Sequence, residues 1–292
     1  MSTLVLTLIT GVGLGALYFL VASGLSLIYG LMGVLNFAHG SFLTLAGFLG
    51  WEVSRRIGDG SWLGLIVGRL VGLLVGALVA VITELVFIRK LYNRHIEQVL
   101  VTVGLGLATV ALFEGIWGSD PIQINLPAWL GQTTDVLGTH IPNDRWLLIG
   151  AAVVMLVLIV LFLQKTSYGL VIRAGVENRT MVTALGIDVR RAFTIVFAIG
   201  GAAAGLGGVL ASVYFGTVSP HQGTSLLIYA FIVTVIGGLG SLAGAAIASV
   251  LVAVIQQFAN FYLEGTGDLA IVLALAVVVL VRPTGLMGKV KH

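Results

Sequence analysis

An all-α polytopic membrane protein of about eight or nine transmembrane helices, with broken or re-entrant segments among them, is predicted by three observations. The charges are too few to cover a water-facing surface, the uncharged runs are longer than a globular core needs, and the apolar stretches are continuous rather than alternating. The 292 residues are 58% hydrophobic and 9% charged, with a mean hydropathy of +1.10, whereas a soluble domain carries about a quarter charged residues. No Asp, Glu, Lys or Arg occurs from Met1 to Trp51, from Trp146 to Leu163 or from Gln222 to Leu263, and the last run is long enough for two crossings. Continuous runs lack the ten-residue dyad pattern of a barrel, and within a bilayer every backbone polar group must pair.

Taken in order, spans are expected near residues 4–30, 36–51, 63–88, 98–118, 146–163, 192–215, 224–238, 242–262 and 268–282. The first lacks the basic flank and small-residue cleavage site of a signal peptide, so it is expected to remain as a helix. Orientation follows from the basic residues of short loops. Arg89, Lys90 and Arg94 mark one cytoplasmic loop, Lys165, Arg173, Arg179, Arg190 and Arg191 a second, and Arg282, Lys289 and Lys291 a cytoplasmic tail. The acidic stretch from Glu114 to Arg145, interrupted by Pro121, Pro127 and Pro142, is expected outside. Arg55 and Arg56 also fall outside, offset by Glu52 and Asp59. The whole chain, 1–292, thus reads as one transmembrane domain with an external loop at about 119–145 and a cytoplasmic loop at about 164–191.

Cysteine is absent, which removes disulfides, thiolate metal sites and thiol nucleophiles. The net charge of +3 reflects cytoplasmic flanks and not a nucleic-acid surface. Glycine, at 40 residues, is the organising signal. Gly64, Gly68, Gly72 and Gly76 place a small-residue stripe on one helix face, and Gly11/Gly15, Gly201/Gly205 and Gly240/Gly244 repeat the spacing. Such stripes let helix backbones approach closely, and packing alone accounts for most of them.

Two interruptions point to a pathway, because irregular backbone at membrane depth is tolerated only where it lines a cavity or is buried in protein. In the first, Tyr29 to Ser41, Asn36 and His39 lie among glycines in an uncharged stretch; in the second, Gly237, Gly238, Gly240 and Gly244 surround Ser241. Both are similar to the discontinuous helices of transporters. Asn36, His39, Ser41, Thr44, Thr234 and Ser241 are the candidate pathway side chains, with Gly40, Gly237, Gly238, Gly240 and Gly244 as pathway backbone. A lone imidazole such as His39 is more often a hydrogen-bonded packing residue than a ligand, and no second His or carboxylate stands at metal spacing beside it. Asn36 is equally suited to capping the following helix. Arg69 and Glu84 bracket an uncharged segment, and both are expected to snorkel to the interfaces; no intramembrane carboxylate pair suggests a proton relay.

The loop from Gln164 to Asp188 is too long for a simple connection. Glu177 to Leu185 is expected to form a short amphipathic helix with Gly186 as its C-terminal stop. Lying on the membrane surface would be its simplest role. The order Arg-Ala-Gly-x-Glu-Asn at 173–178 followed by Ala-Leu-Gly-Ile-Asp at 184–188 resembles the coupling loop of ABC importer permeases. With Gly24-Leu25-Ser26-Leu27-Ile28-Tyr29-Gly30, Asn36-Phe37-Ala38-His39-Gly40 and Gly237-Gly238-Leu239-Gly240-Ser241, the chain resembles the branched-chain amino acid permease family over nearly its whole length.

That resemblance implies an ABC importer permease fold in a bacterial or archaeal cytoplasmic membrane. It also implies a homologous second permease, two cytoplasmic ATPase subunits and an extracytoplasmic substrate-binding protein. Arg173, Ala174, Glu177, Asn178, Ala184, Leu185 and Gly186 would meet the ATPase. No Gly-x-x-x-x-Gly-Lys-Ser/Thr element is present, so ATP and magnesium are expected on the partners, with no cofactor on this chain. Branched-chain or similar small amino acids are the expected substrates. Related permeases for urea and short amides share the motifs. An ion-coupled secondary carrier and a purely structural subunit are the alternatives of other classes.

Overall fold

The computed structural model describes residues 2–33, 36–92 and 94–288, and of residues 2, 31 and 176–180 the backbone only. Within them the chain forms α1 (Ser2–Met32), α2 (His39–Gly58), α3 (Trp62–Val86), α4 (His95–Trp117), α5 (Asn143–Lys165), α6 (Ser167–Ala184), α7 (Val189–Phe215), α8 (Gln222–Gly237), α9 (Leu242–Tyr262) and α10 (Gly267–Val281). Six of these, α1, α3, α4, α5, α7 and α9, are long and apolar enough to cross a membrane by themselves. α8 and α10 are apolar but only 16 and 15 residues long. Each of the nine expected spans coincides with one helix, and α6 is the tenth.

α1 and α7 form the centre. Leu17, Leu20, Val21 and Leu25 of α1 and Phe193, Val196, Phe197 and Leu210 of α7 are buried. The outer faces of α3, α4 and α10 carry exposed Leu70, Leu74, Leu78, Leu100, Leu107 and Leu280, the inverse of a soluble protein and the arrangement a bilayer stabilises.

The glycine stripe of α3 serves two neighbours in succession. Gly64 and Gly68 meet backbone carbonyls of α2 at Gly58 and Gly50, while Gly72 and Gly76 meet α7 at Gly205 and Gly201. A methyl group at Gly205 would overlap the carbonyl oxygen of Gly72, and one at Gly201 that of Gly76. Gly11 and Gly15 likewise receive Val254 and Val250 of α9, and Gly30 of α1 receives Gly240, so α1 and α9 run antiparallel.

Two short β pairings, which the all-α expectation did not include, build one end of the molecule. β1 (Ile122–Gln123) pairs antiparallel with β4 (Thr217–Val218), tying the α4–α5 loop to the α7–α8 connection. β2 (Thr133–Val136) pairs with β3 (Thr139–Pro142) through Leu137 and Gly138, both at positive φ, the backbone a two-residue hairpin requires. Asp59 accepts a hydrogen bond from Asn125 Nδ2, which places the end of α2 beside this loop. Arg56 and Arg55 pair with Glu52 at 2.7 and 3.4 Å. All five tryptophans, Trp51, Trp62, Trp117, Trp129 and Trp146, sit in this layer or within about two turns of it, the position of an interfacial aromatic belt.

Candidate translocation and coupling sites

The first interruption is a true helix break. Gly33 takes φ 70°, ending α1, and helical structure resumes at His39. Asn36 holds the restart: its backbone carbonyl accepts from His39 N at 3.2 Å and its Oδ1 accepts from Ala38 N at 3.1 Å. His39 is fully buried, with Nε2 donating to the Val21 carbonyl at 3.1 Å and its ring set edge-on to Phe42. Val21 lies eleven residues before Met32, a rise of about 16 Å. α2 therefore begins about half a bilayer core away from the end of α1. Of the described residues between them, Asn36 and Ala38 are buried, whereas Gly33 and Phe37 are exposed.

Four candidate pathway residues converge at this restart. The Thr44 hydroxyl accepts from Gly223 N at 3.1 Å and donates to the Gly40 carbonyl at 3.2 Å, and the backbones of Gly40 and Gly223 lie in direct contact. Ser41 hydrogen-bonds the Thr109 hydroxyl of α4. Asn36, His39, Ser41 and Thr44 thus gather where α1, α2, α4 and the start of α8 meet, and all four are enclosed. Thr234 and Ser241 lie apart, because Thr234 is eleven residues along α8 from Gly223. Thr234 donates to the Ala230 carbonyl at 2.6 Å, and Ser241 caps α9 by accepting from Gly244 N at 3.0 Å. Around them Gly237 packs on Gly244, and the C-terminal segment closes the turn through Leu286 N to the Ile236 carbonyl at 2.8 Å and Met287 N to the Gly237 carbonyl at 3.0 Å. Gly238 and Gly240 supply the positive φ values, 103° and 83°, that reverse the chain.

In the α5–α7 connection, the expected helix is longer than 177–185. It starts at Ser167, because Thr166 caps it by accepting from Gly169 N at 3.0 Å, and Gly169 lets the turn close against the carbonyls of Phe162 and Leu163. Gly186, at φ 78°, ends it as the sequence suggested. Ile172 and Val182 anchor α6 to the bundle, whereas Leu170, Arg173, Met181, Ala184, Leu185 and Gly186 are exposed and Ala174 is half-buried. The side chains of Glu177 and Asn178 lie outside the described residues. Asp188 begins α7 by accepting from Arg190 N at 3.0 Å, so α6 passes into α7 after only four residues. Replacing Thr166 by alanine is expected to cost α6 about 1 kcal/mol, read as faster amide exchange confined to its first turn.

The expectation that Glu84 reaches the interface is corrected. Its side chain is fully buried and accepts from Arg89 Nε at 3.3 Å, from Thr194 Oγ1 at 2.9 Å and from the Tyr92 hydroxyl. Arg89 Nη2 also donates to Thr194 Oγ1 at 3.0 Å, so the end of α3, the 3-10 turn Ile88–Leu91 and the second turn of α7 share one network. The hydrogen bond to Glu84 raises the Arg89 pKa, and burial followed by the same carboxylate raises that of Tyr92. Arg89 is therefore a fixed cation and Tyr92 a fixed neutral donor at physiological pH. Snorkelling fails here because three donors from two other segments reach the carboxylate inside the protein. Glu114, at the outer end of α4, instead meets His221 at 2.9 Å and stays partly exposed.

Gln98 and Thr102 of α4 were also missed. Both are fully buried and face inward one turn apart, a spacing in an uncharged stretch that could have revealed them.

The family model described as "Branched-chain amino acid transport system / permease component" matches residues 7–282. The high-affinity branched-chain amino acid transport system permease protein LivH of Salmonella typhimurium is 26% identical over 96% of this chain and 94% of its own length. BraD of Pseudomonas aeruginosa, named as a permease protein of the same kind of system, is 26% identical over 97% and 95%. The fructose import permease protein FruF of Bifidobacterium longum is 28% identical over 86% of this chain and 69% of its own. No solved structure matches the chain.

Proposed function

Since the chain belongs to the branched-chain amino acid transport-system permease family, we propose that it forms the membrane pathway of an ATP-driven importer for branched-chain or similar small amino acids. In this reading it works beside a homologous permease, two cytoplasmic ATPase subunits carrying ATP and magnesium, and an extracytoplasmic binding protein. The chain itself performs no chemistry and binds no cofactor. The observation that carries the reading is α6: a helix on the basic side of the molecule, anchored by Ile172 and Val182, that leaves Leu170, Met181 and Leu185 exposed and leads into the central helix α7. Exposed apolar groups clustered beside a cation such as Arg173 suit a protein partner better than water.

Closure of the ATPase pair would press on α6, and α7 would carry that displacement to the packed α3 face and to the helix break at Asn36 to Ser41. Asn36, His39, Ser41, Thr44, Thr234 and Ser241 would line or control the route, with Gly40, Gly237, Gly238, Gly240 and Gly244 allowing its backbones to shift. Sparse amides and hydroxyls in an apolar lining let a substrate leave as readily as it enters.

Met181→Lys and Leu185→Lys, made together, are expected to lower substrate-stimulated ATP hydrolysis of the assembled complex at least tenfold, about 1.4 kcal/mol of coupling. Unchanged stimulation would remove α6 as the contact. The fructose permease among the relatives gives a second substrate reading a specific basis. Uptake assays with leucine, urea, acetamide and fructose separate these possibilities.

A further inference from the structure

A small cavity of about 10 Å³, room for one water, lies in the cytoplasmic half between α1, the helix break, α4 and α7. Its polar lining is Asn36, Gln98 and Thr102, and its apolar lining includes Ile28, Met32 and Phe197. The amides are held in defined orientations. Asn36 Oδ1 is occupied by Ala38 N, leaving Nδ2 without a protein partner; Gln98 Nε2 donates to the Leu91 carbonyl, leaving Oε1 without one. Thr102 has given its hydroxyl proton to the Val99 carbonyl and can only accept. Asn36 is 3% exposed and Gln98 is 0%. One buried donor and one buried acceptor without a protein partner thus belong to residues that line a single cavity, and each is a cost to the fold until something bonds to it.

A ligand that satisfies both must accept at one point and donate at another. We propose that Asn36 and Gln98 form a head-group station for a zwitterionic α-amino acid on the inner half of its path. Asn36 Nδ2 donates to the carboxylate, Gln98 Oε1 accepts from the ammonium group, and the aliphatic side chain lies against Ile28, Met32 and Phe197. A single water bonded to the same atoms holds the station when it is closed. Neutral amides suit transit, because each meets one charge of the substrate without the deep trap a fixed opposite charge would create. Filling the station requires α4, the least buried of the six long spans, to move outward. This inference deepens the amino-acid importer reading and rests on it.

The test uses the full complex in lipid nanodiscs and proteoliposomes. The chain has no cysteine, so Thr102→Cys adds its only thiol. During ATP turnover with binding protein, leucine is expected to slow labelling of that thiol by a small methanethiosulfonate reagent at least about fivefold. Isopentylamine and isovalerate, which each lack one charge, are expected to leave it unchanged. In a separate arm, Gln98→Leu and Asn36→Leu, each confirmed as assembled by co-purification, are expected to slow leucine transport at least about tenfold under saturating binding protein. Absence of leucine protection, or protection by all three compounds alike, overturns the station, as does wild-type transport by both leucine variants. A wild-type complex that transports no leucine, measured first, would instead defeat the importer reading.

Discussion

Gly205→Val should abolish the folded permease, and this is the largest single-residue effect expected. Gly205 of α7 and Gly72 of α3 touch backbone to backbone, so that even a methyl group overlaps the Gly72 carbonyl oxygen. The obstacle is a main-chain carbonyl and not the flexible tip of a side chain, so relief requires the two helices to separate. Separation would also pull Gly76 from Gly201, since both contacts lie on the same pair of faces. Overpacking in a rigid core typically costs 1–3 kcal/mol and occasionally more, and a rigid double contact belongs at or above about 3. Gly104→Val is the matched control: Gly104 is exposed on α4 with open space where a Cβ would go. Monodisperse protein recovered in mild detergent should fall to background for Gly205→Val and stay near wild type for Gly104→Val.

Glu84→Ala is the second. It removes the one carboxylate that Arg89, Thr194 and Tyr92 all address, and so cuts the polar link between the end of α3 and the start of α7. Breaking a fully buried pair costs about 3–5 kcal/mol. Arg89 is 38% exposed and recovers water, so about 2 kcal/mol is expected here. The functional loss should exceed the stability loss, because Thr194 sits on the second turn of α7, the helix that α6 leads into. Glu84→Ala is expected to keep ATP hydrolysis while losing most of the transport it drives. A double-mutant cycle with Thr194→Val should give a coupling energy of about 0.5–1.5 kcal/mol. Additive effects of the two changes would show that the network is not shared.

Much of the fold was legible because its causes are local. Long apolar runs with few or no charges located nine helices, and Gly-x-x-x-Gly spacing marked the faces that α3 presents to its neighbours. Gly33 and Asn36 announced the break before α2. What escaped depends on distant pairings. Glu84 looks like an interfacial acid until Arg89 folds back and Thr194, 110 residues away, arrives beside it. Gln98 looks like one more amide until Asn36 shares its cavity. The start of α6 was misplaced because Thr166 reads as loop without the Gly169 amide it caps. The β1–β4 pairing joins segments 94 residues apart and has no local signature. At the candidate pathway, the residue types pointed to a polar interruption. Only the fold separates the cluster at Asn36, His39, Ser41 and Thr44 from Thr234, further along α8, and Ser241, at the start of α9.

Import driven by ATP through α6 is tested most directly by reconstituting this chain with its companion permease, ATPase subunits and binding protein in proteoliposomes, and following radiolabelled leucine with and without internal ATP. Accumulation above the external concentration that requires ATP and the binding protein, and that is lost with Met181→Lys and Leu185→Lys, is the predicted result. Accumulation driven by an ion gradient alone, without ATP and indifferent to those substitutions, would contradict it.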